Sequence, residues 1–281
     1  MDIKRAVLNG YLDESIYMVQ PEGFIKKGGD HNLYKLLKSI RILLSIVATY
    51  DYEIWHMDVK TTFLNGYLDE SIYMVQPEGF IKNEEDQKVC KLLKSIYRSK
   101  QAYRSWNITF DETIKTYGFE QNVDEACVYK YIKGKMVVFL VLYVDDIFLI
   151  GNNVETLSNV KKWLAEKFQM KDLGVASYVL GIQILKNRKN KLLALSQANY
   201  IDKVLERFSM ENSKKGQLLT RHGITLSKEQ CPKTPQEEDD MRKYPYTLAI
   251  GSLMYATLCI RPDICYEMGI VSRYQSNTGL L

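Results

Sequence analysis

The chain has 281 residues, which is enough for one large domain or for one domain with a smaller appendage. Its composition, with 46% hydrophobic and 26% charged residues, is that of a globular protein and excludes an intrinsically disordered chain. The net charge of +4 permits a nucleic-acid partner but does not identify one.

Targeting and redox signals indicate the inside of the cell. The longest uninterrupted apolar run, Met136–Val144, is too short to span a membrane, and Met1–Arg5 lacks the apolar core of a secretory signal. The five cysteines are scattered without a Cys-x-x-Cys pair, and the three histidines lie far apart. This spacing argues against a zinc site and a disulfide framework and is typical of a reducing compartment. We therefore expect an intracellular protein without a membrane partner.

The N-terminal part of the chain is a copy of a later part. Residues 1–40 align without gaps on residues 57–96, with about 29 identities in 40 positions, and residues 9–26 repeat residues 65–82 without a difference. Solenoid repeats diverge and number three or more. Two near-identical copies are instead typical of a recent duplication or a misjoined gene model, with a functional tandem as the alternative. We expect this block to be poorly ordered or loosely docked up to about Gly29, because chain termini are mobile unless tied down.

Hydrophobic spacing predicts the elements that follow the copied block. First come a helix running to about Ala48, a strand Tyr52–Asp58 and a helix Ala102–Tyr117 ended by Gly118. Three strands follow, Cys127–Ile132, Met136–Val144 and Ile147–Ile150, and then a helix with one apolar face: Leu157, Val160, Leu164 and Phe168. The last elements are strands Tyr178–Leu185 and Leu192–Leu195, a helix with Ser196 as N-cap, and a helix over Leu248–Leu258. The pattern loosens beyond Ser209. Helices mixed with hairpins in this way predict an α+β domain.

Two adjacent acids, Asp145 and Asp146, interrupt two of these apolar strands within the sequence Tyr-Val-Asp-Asp. Left unpaired between such flanks, each charge would be costly to desolvate. A tight hairpin would present both carboxylates at a cleft, where a divalent cation neutralises them, and oxygen ligands are those that magnesium prefers. A simple Asp-Asp turn in water is the alternative interpretation, but the flanks are too apolar and too long for a surface tip.

Asp58, at the end of the predicted strand Tyr52–Asp58, is the candidate third carboxylate. By itself a strand-terminal Asp is usually a helix cap or a surface residue. It becomes a candidate because the acidic hairpin needs a third carboxylate from a neighbouring strand.

Five motifs follow one another along the chain. They are Met57–Gly66, Tyr73–Phe80, Tyr143–Asp146, Leu173–Ile182, and Gly251–Tyr255 with Arg261–Asp263. In their order and spacing they resemble the copia-type reverse transcriptase of LTR retrotransposons. The resemblance runs from about Ser39 to the C-terminus, so it covers everything except the copied block.

The resemblance implies a right-hand polymerase palm, an antiparallel sheet packed on helices, over residues 41–209 together with truncated fingers. Residues 210–281 would form a thumb or connection segment that ends before the ribonuclease H segment. The implied context is a transposon polyprotein, with a cytoplasmic virus-like particle as the expected location. The implied partners are an RNA or DNA template with its primer, and deoxynucleoside triphosphates.

The resemblance also implies a catalytic mechanism with two Mg²⁺ ions. In the family's pattern Asp58 and Asp145 bridge both ions, and Asp146 is an auxiliary ligand. One ion activates the primer 3′-hydroxyl, and the other holds the triphosphate and stabilises the leaving pyrophosphate.

Three further residues match nucleotide-binding positions of the family. Gln101 and Tyr143 are expected to lie at the nucleotide. Phe63 is similar to the aromatic residue that excludes a ribose 2′-hydroxyl and so selects deoxynucleotides. A plain core aromatic is the alternative interpretation of Phe63.

Two departures from the family's pattern bear on activity. The copied block stands where family members carry a fingers segment whose basic residues grip the triphosphate, so charge-assisted contacts are lost. The chain also has Tyr97-Arg98-Ser99-Lys100-Gln101 where the family usually has Tyr-Gly-Leu-Lys-Gln, and Arg98 lacks the backbone freedom of Gly. Two hypotheses therefore stand: a competent RNA-directed DNA polymerase, or an inactive remnant that folds and at most binds nucleic acid.

Overall fold

The computed structural model of the chain describes residues 30–68, 70–77, 79–80, 88–96, 99, 101–214 and 226–279. The α-helices in this part are α1 (Asp30–Tyr50), α2 (Ala102–Tyr117), α3 (Val154–Lys167), α4 (Ala198–Arg207), α5 (Pro235–Arg242), α6 (Tyr246–Cys259) and α7 (Cys265–Val271). The strands are β1 (Glu53–Val59), β2 (Tyr73–Val75), β3 (Val89–Lys91), β4 (Glu120–Gln121), β5 (Val128–Lys133), β6 (Met136–Tyr143), β7 (Asp146–Gly151), β8 (Met170–Val175), β9 (Tyr178–Val179), β10 (Ile182–Asn187) and β11 (Leu192–Ser196). Short 3-10 helices lie at Thr62–Asn65, Lys228–Gln230, Pro262–Ile264 and Ser272–Tyr274.

The chain divides into two compact units. One unit is Ser39–Ala176, and the other contains Ser177–Leu281 together with the described residues that precede Ser39. The division falls within the span of residues 41–209 for which the sequence resemblance implies a palm. The predicted acids Asp58, Asp145 and Asp146 all belong to the first unit.

A six-stranded antiparallel sheet forms the framework of the Ser39–Ala176 unit. Its strand order is β4-β5-β6-β7-β1-β8. The central strands and the helices α2 and α3 contribute to one buried cluster, which includes Trp106, Phe110, Leu140, Leu149 and Leu164. Burial of each such side chain contributes about 1.5–3 kcal/mol, so this cluster holds the sheet and the helices together. The prediction of a mixed α+β fold is confirmed.

Most predicted elements are confirmed to within a residue or two. Helix α2 has the predicted bounds and ends at Gly118, whose φ of 105° is a left-handed conformation that Gly adopts without steric penalty. Asn153 caps α3 by accepting a hydrogen bond from the Thr156 N–H. The predicted helix over Leu248–Leu258 lies within α6.

The single strand predicted over Tyr178–Leu185 is wrong. β9 and β10 pair antiparallel with each other, and Leu180 and Gly181 between them have φ of 50° and 71°. Positive φ at two consecutive residues reverses the chain direction. The Tyr255 hydroxyl donates a hydrogen bond to the Leu180 carbonyl and so supports the turn. Leu180 continues the apolar run, so composition did not reveal the reversal.

The predicted N-cap and two other assignments also differ from the structure. Ser196 ends β11, and Gln197 holds the cap position of α4, although the Ser196 Oγ accepts a hydrogen bond from the Ala198 N–H. Strand β8 and helix α5 are among the elements that are not predicted, because neither carries a clear apolar period. The signal for α5 was a capping box, in which Thr234 and Glu237 satisfy each other's backbone N–H groups.

The second unit is built around its own small sheet and helix contacts. Its three strands are ordered β11-β10-β9. Tyr200 of α4 donates a hydrogen bond of 2.9 Å to the Ser252 carbonyl of α6, and its ring meets Tyr255 edge-on at 5.0 Å. A small buried cluster joins α6 to the segment that follows it: Ile250, Ile264 and Met268.

Some predictions concern residues outside the described part of the chain. The copied block as far as Gly29, including Asp2, lies there, and so does Arg98. The expectations about these residues remain predictions. None of the described helices is both long enough and apolar enough to cross a bilayer.

Removal of the copied block up to about Asn32 is expected to leave the melting temperature nearly unchanged. Asp58 lies on strand β1, between β7 and β8 of the six-stranded sheet, so the later copy supplies the acid of the site. Asp2→Ala should therefore change neither folding nor metal binding. Thermal melting of the full and the shortened chain checks this, with Asp2→Ala measured beside them. If the shortened chain is unfolded, the copied block contributes to the stability of the fold and the prediction is wrong.

Candidate active site

Two of the predicted acids lie opposite each other on neighbouring strands. β1 pairs antiparallel with β7, and the register sets Asp58 directly opposite Asp146. Directly opposed residues project from the same face of a sheet, with Cβ atoms about 4.5–5.5 Å apart. Both side chains are partly buried. The two carboxylates therefore share one partly accessible face of the sheet.

Asp145 lies in the loop that joins β6 to β7. Tyr143 pairs with Asp146, so the loop consists of Val144 and Asp145 alone. Val144 has a φ of 55°, as the first central residue of a type II′ hairpin turn does. This conformation is strained for a β-branched residue. The predicted tight hairpin is present, and Asp145 is exposed at its tip.

Two hydrogen bonds from neighbouring elements hold this turn. Trp106 of α2 donates its indole Nε1–H to the Val144 carbonyl at 2.9 Å. The Val59 N–H of β1 donates to the Asp145 carbonyl at 2.8 Å. Because both acceptors are main-chain oxygens, the strained turn is fixed without using the Asp145 carboxylate.

His56 is a neighbour of these acids that was not predicted from the sequence. It lies two residues before Asp58 on β1 and so projects from the same face. Its Nε2 atom is 2.6 Å from Asp146 Oδ1. Its ring stacks on Phe148, with ring centroids 4.6 Å apart. The spacing of two residues from Asp58 was the signal that could have indicated it.

Lys171 is a second neighbour that was not predicted. β8 pairs with the other edge of β1, and the register sets Lys171 opposite Asp58. Asp146, Asp58 and Lys171 thus form a row across three adjacent strands on one face. The Lys171 side chain is exposed. Lys171 was not predicted as a site residue because strand β8, on which it lies, was not predicted.

The two acids of this row are of the residue type that binds magnesium. Mg²⁺ takes oxygen ligands and is usually bound through one or two carboxylates together with substrate phosphates and water. Asp58 and Asp146 present two carboxylates on one face, with Asp145 next to them in the turn. Among the residues that the structure describes, no three His, Cys, Asp or Glu side chains are grouped so that they could hold an ion. Joint binding of metal by all three acids stays a prediction.

The three residues expected at the nucleotide have different surroundings. Phe63 lies in the 3-10 helix after β1, and its partly buried ring packs against the buried cluster that contains Trp106. Gln101 is exposed at the N-cap position of α2 and accepts a hydrogen bond from Ser99 Oγ at 3.0 Å. Tyr143 is partly buried and is the cross-strand partner of Asp146. Their roles at the nucleotide stay predictions.

A half-buried thiol lies beside the first turn of α2. Cys127, just before β5, interacts with the Tyr103 hydroxyl and with the Glu125 carboxyl. Burial, followed by the negative charge of Glu125, raises the pKa of the Cys127 thiol to about 11. The thiol is therefore protonated and unreactive at neutral pH.

Cys127 is expected to resist alkylation in the native protein. Its iodoacetamide reaction should rise with a midpoint near pH 11 in the native chain and near pH 9.0 in denaturant. Because the folded-state pKa is raised, the associated stability is complete below pH 9.0 and is lost as the pH rises through about 11. Peptide mass spectrometry follows the alkylation, and Cys127→Ala should show a smaller alkaline loss of stability. Equal alkylation midpoints in the two states would contradict the prediction.

Comparisons with known proteins identify the family of the chain. A family model described as reverse transcriptase (RNA-dependent DNA polymerase) matches residues 36–220. The chain is 44% identical over 244 residues, 86% of its length, to the retrovirus-related Pol polyprotein from transposon TNT 1-94 of Nicotiana tabacum. It is 34% identical over 238 residues, 84% of its length, to the corresponding polyprotein from transposon RE1 of Arabidopsis thaliana. It is 31% identical over 218 residues, 78% of its length, to the putative transposon Ty5-1 protein of Saccharomyces cerevisiae.

The chain corresponds to part of these relatives. It spans 18% of the tobacco polyprotein, 16% of the Arabidopsis polyprotein and 68% of the yeast protein. No solved structure matches it. Because the matched range covers most of the chain and contains Asp58, Asp145 and Asp146, the chain belongs to the reverse transcriptase (RNA-dependent DNA polymerase) family, in the copia type found in transposon Pol polyproteins.

Proposed function

We propose that this chain is the polymerase portion of a transposon polyprotein and catalyses RNA-directed DNA synthesis from a primer. The observation that carries the proposal is the register that sets Asp58 opposite Asp146, beside the turn that contains Asp145. In this proposal residues 41–209 form the palm with truncated fingers, and residues 210–281 belong to a thumb or connection segment.

Asp58 and Asp145 would be the main ligands of two Mg²⁺ ions, and Asp146 would be an auxiliary ligand. When bound, the ions supply activation of the primer 3′-hydroxyl and neutralisation of charge on the triphosphate and the leaving pyrophosphate. The chain itself holds the carboxylates in fixed positions. Asp58 is held by a central strand, and the turn of Asp145 is held by hydrogen bonds to its main chain. Groups that are fixed before the substrate arrives need no reorganisation during the reaction.

Lys171 is the proposed cationic contact of the triphosphate. It lies opposite Asp58 and is exposed, so its ammonium group is accessible to a phosphate on that face. A hydrogen bond between ammonium and phosphate is charge-assisted and therefore stronger than a neutral one. This contact would supply one cation where the fingers segment has been replaced by the copied block.

Phe63, Gln101 and Tyr143 are proposed to line the nucleotide position. Tyr143 is supported by its pairing with Asp146, and Gln101 by its exposure at the start of α2. For Phe63 the support is divided. Its packing against the core favours a structural aromatic, while its incomplete burial leaves part of the ring accessible to a sugar.

An inactive remnant is the second candidate, and two features of the sequence favour it. The copied block stands where the triphosphate-gripping fingers are expected, and Arg98 stands where the family usually has Gly. Such a protein would fold and bind primer–template through phosphate contacts, without extending the primer.

Primer extension separates the two candidates. The purified chain is given oligo(dT) annealed to poly(rA), with dTTP and Mg²⁺, and we expect extension that stops when the metal is chelated. A gel-shift assay with the same primer–template runs beside it. Binding without extension would support the inactive remnant. A folded chain that neither binds nor extends the primer would contradict the proposed function.

A further inference from the structure

The His56 imidazole contacts one oxygen of Asp146. Its Nε2 atom is 2.6 Å from Oδ1, a short distance of the kind found in charge-assisted hydrogen bonds. Because an ionised carboxylate only accepts hydrogen bonds, a hydrogen bond between these atoms requires the proton on Nε2. The bond leaves the other oxygen of Asp146, Oδ2, for a different partner.

The imidazole is itself held in place. Its ring stacks on Phe148 with an interplanar angle of 19°, and Phe148 is 3% exposed. The exposed fraction of the His56 side chain is 16%, against 33% for Asp146. In the register of β1 and β7, His56 lies opposite Phe148. Asp58 lies opposite Asp146, and this is the next pair along the two strands whose side chains project from the same face. The contact from His56 to Asp146 is therefore a diagonal one, fixed by the register that also aligns the two acids.

We infer that His56 is a positioning residue for Asp146, an inference that rests on the proposed function. With Oδ1 held by His56, Oδ2 would be the oxygen with which Asp146 binds a cation. Hydrogen bonds of this kind orient carboxylate ligands, and their loss typically costs about 10–100-fold in metal affinity or activity. If the pair were only structural, its loss would lower stability and leave metal affinity unchanged.

Two variants separate the hydrogen bond from the ring. His56→Phe keeps a ring against Phe148 and removes both ring nitrogens. His56→Gln removes the ring and keeps an N–H donor of similar reach. Mn²⁺ is titrated into each chain, with free Mn²⁺ followed by electron paramagnetic resonance and the fold checked by thermal melting. We expect His56→Phe to bind Mn²⁺ about 10–100-fold more weakly than the wild type, and His56→Gln to bind it nearly as well as the wild type.

Asp58→Asn distinguishes failure of this inference from failure of the proposed function. If Asp58→Asn binds Mn²⁺ as the wild type does, the site is not a metal site, and both the proposed function and the role of His56 are overturned. If Asp58→Asn weakens binding but His56→Phe does not, the role of His56 alone is overturned. Equal weakening in both His56 variants would also overturn it, because the retained donor would then have no effect.

A measurement on the wild type covers the case in which His56→Phe does not fold. The tautomer of His56 is read from long-range proton–nitrogen correlations of the ¹⁵N-labelled chain at pH 8. We expect the proton on Nε2, as the bond to Asp146 requires. A proton on Nδ1 alone would show that His56 does not donate to Asp146 and would overturn the inference.

Discussion

Asp145→Asn is expected to abolish magnesium-dependent primer extension and to leave the fold intact. The loss should be at least about 10²–10³-fold, the range seen when one electrostatic group is removed from an active site. Stability should be unchanged or higher, because neighbouring carboxylates repel each other and the amide removes one charge. The hydrogen bond from Val59 uses the main-chain carbonyl of Asp145, which the substitution keeps.

Asp124→Asn is the matched control for this change. Asp124 is an exposed acid in the loop between β4 and β5, so its substitution alters the net charge by the same amount away from the turn. Steady-state extension rates and melting temperatures are measured for both variants. Wild-type extension by Asp145→Asn would contradict the catalytic assignment. A strongly lowered melting temperature would show that the Asp145 carboxylate has a structural partner.

Trp106→Ala is expected to lower the free energy of unfolding by about 3–5 kcal/mol, as for other buried tryptophans. That is a large part of the roughly 5–15 kcal/mol that stabilises a typical domain. The Trp106 side chain is 0% exposed and contacts the rings of Phe110 and Phe168. It also donates to the Val144 carbonyl of the acidic turn. Urea unfolding followed by circular dichroism measures the loss.

Trp106→Phe isolates the indole N–H from the bulk of the ring. Removal of one hydrogen bond of this kind costs about 0.5–1.5 kcal/mol, added to the loss of ring area. Trp163→Phe is the control, because Trp163 of α3 is partly buried and packs on Tyr117 at 4.9 Å. We expect Trp106→Phe to cost more stability than Trp163→Phe and to slow extension, since the strained Val144 turn loses a support. Equal costs would show that the bond to the turn contributes nothing measurable.

Elements with a clear apolar period or a specific terminator could be predicted from the sequence. Helix α2 was predicted to the residue because Trp106, Phe110 and Ile114 recur at helical spacing and Gly118 ends the run. The reversal at Leu180 could not be predicted, because a Leu in a positive-φ conformation looks the same in the sequence as a Leu in a strand. Strand β8 could not be predicted either, since four of its six residues are exposed and it has no regular alternation.

Some residues of the candidate site could be predicted from the sequence, and others could not. Asp145 and Asp146 could be predicted because two adjacent charges between apolar strands are visible within a few residues of sequence. Charges in such surroundings are costly to desolvate unless a cation neutralises them. Asp58 could be nominated only as a partner for them. Lys171 could not be nominated, because its importance depends on the residue that it faces on β1. For His56 the sequence offered only the two-residue spacing from Asp58, and its contact with Asp146 depends on the pairing of β1 with β7.

By itself, the sequence determined most of the helices and the long strands, the tight acidic hairpin and the family to which the chain belongs, because these depend on side-chain period, turn chemistry and short motifs. The tertiary structure alone decided which side chains share the site. It set Asp58 opposite Asp146, Lys171 opposite Asp58, and His56 against Asp146 Oδ1. The physical reason is the pleat of the sheet: a slip of one residue in the pairing of β1 and β7 would turn every side chain to the other face, and that register is fixed by long-range packing.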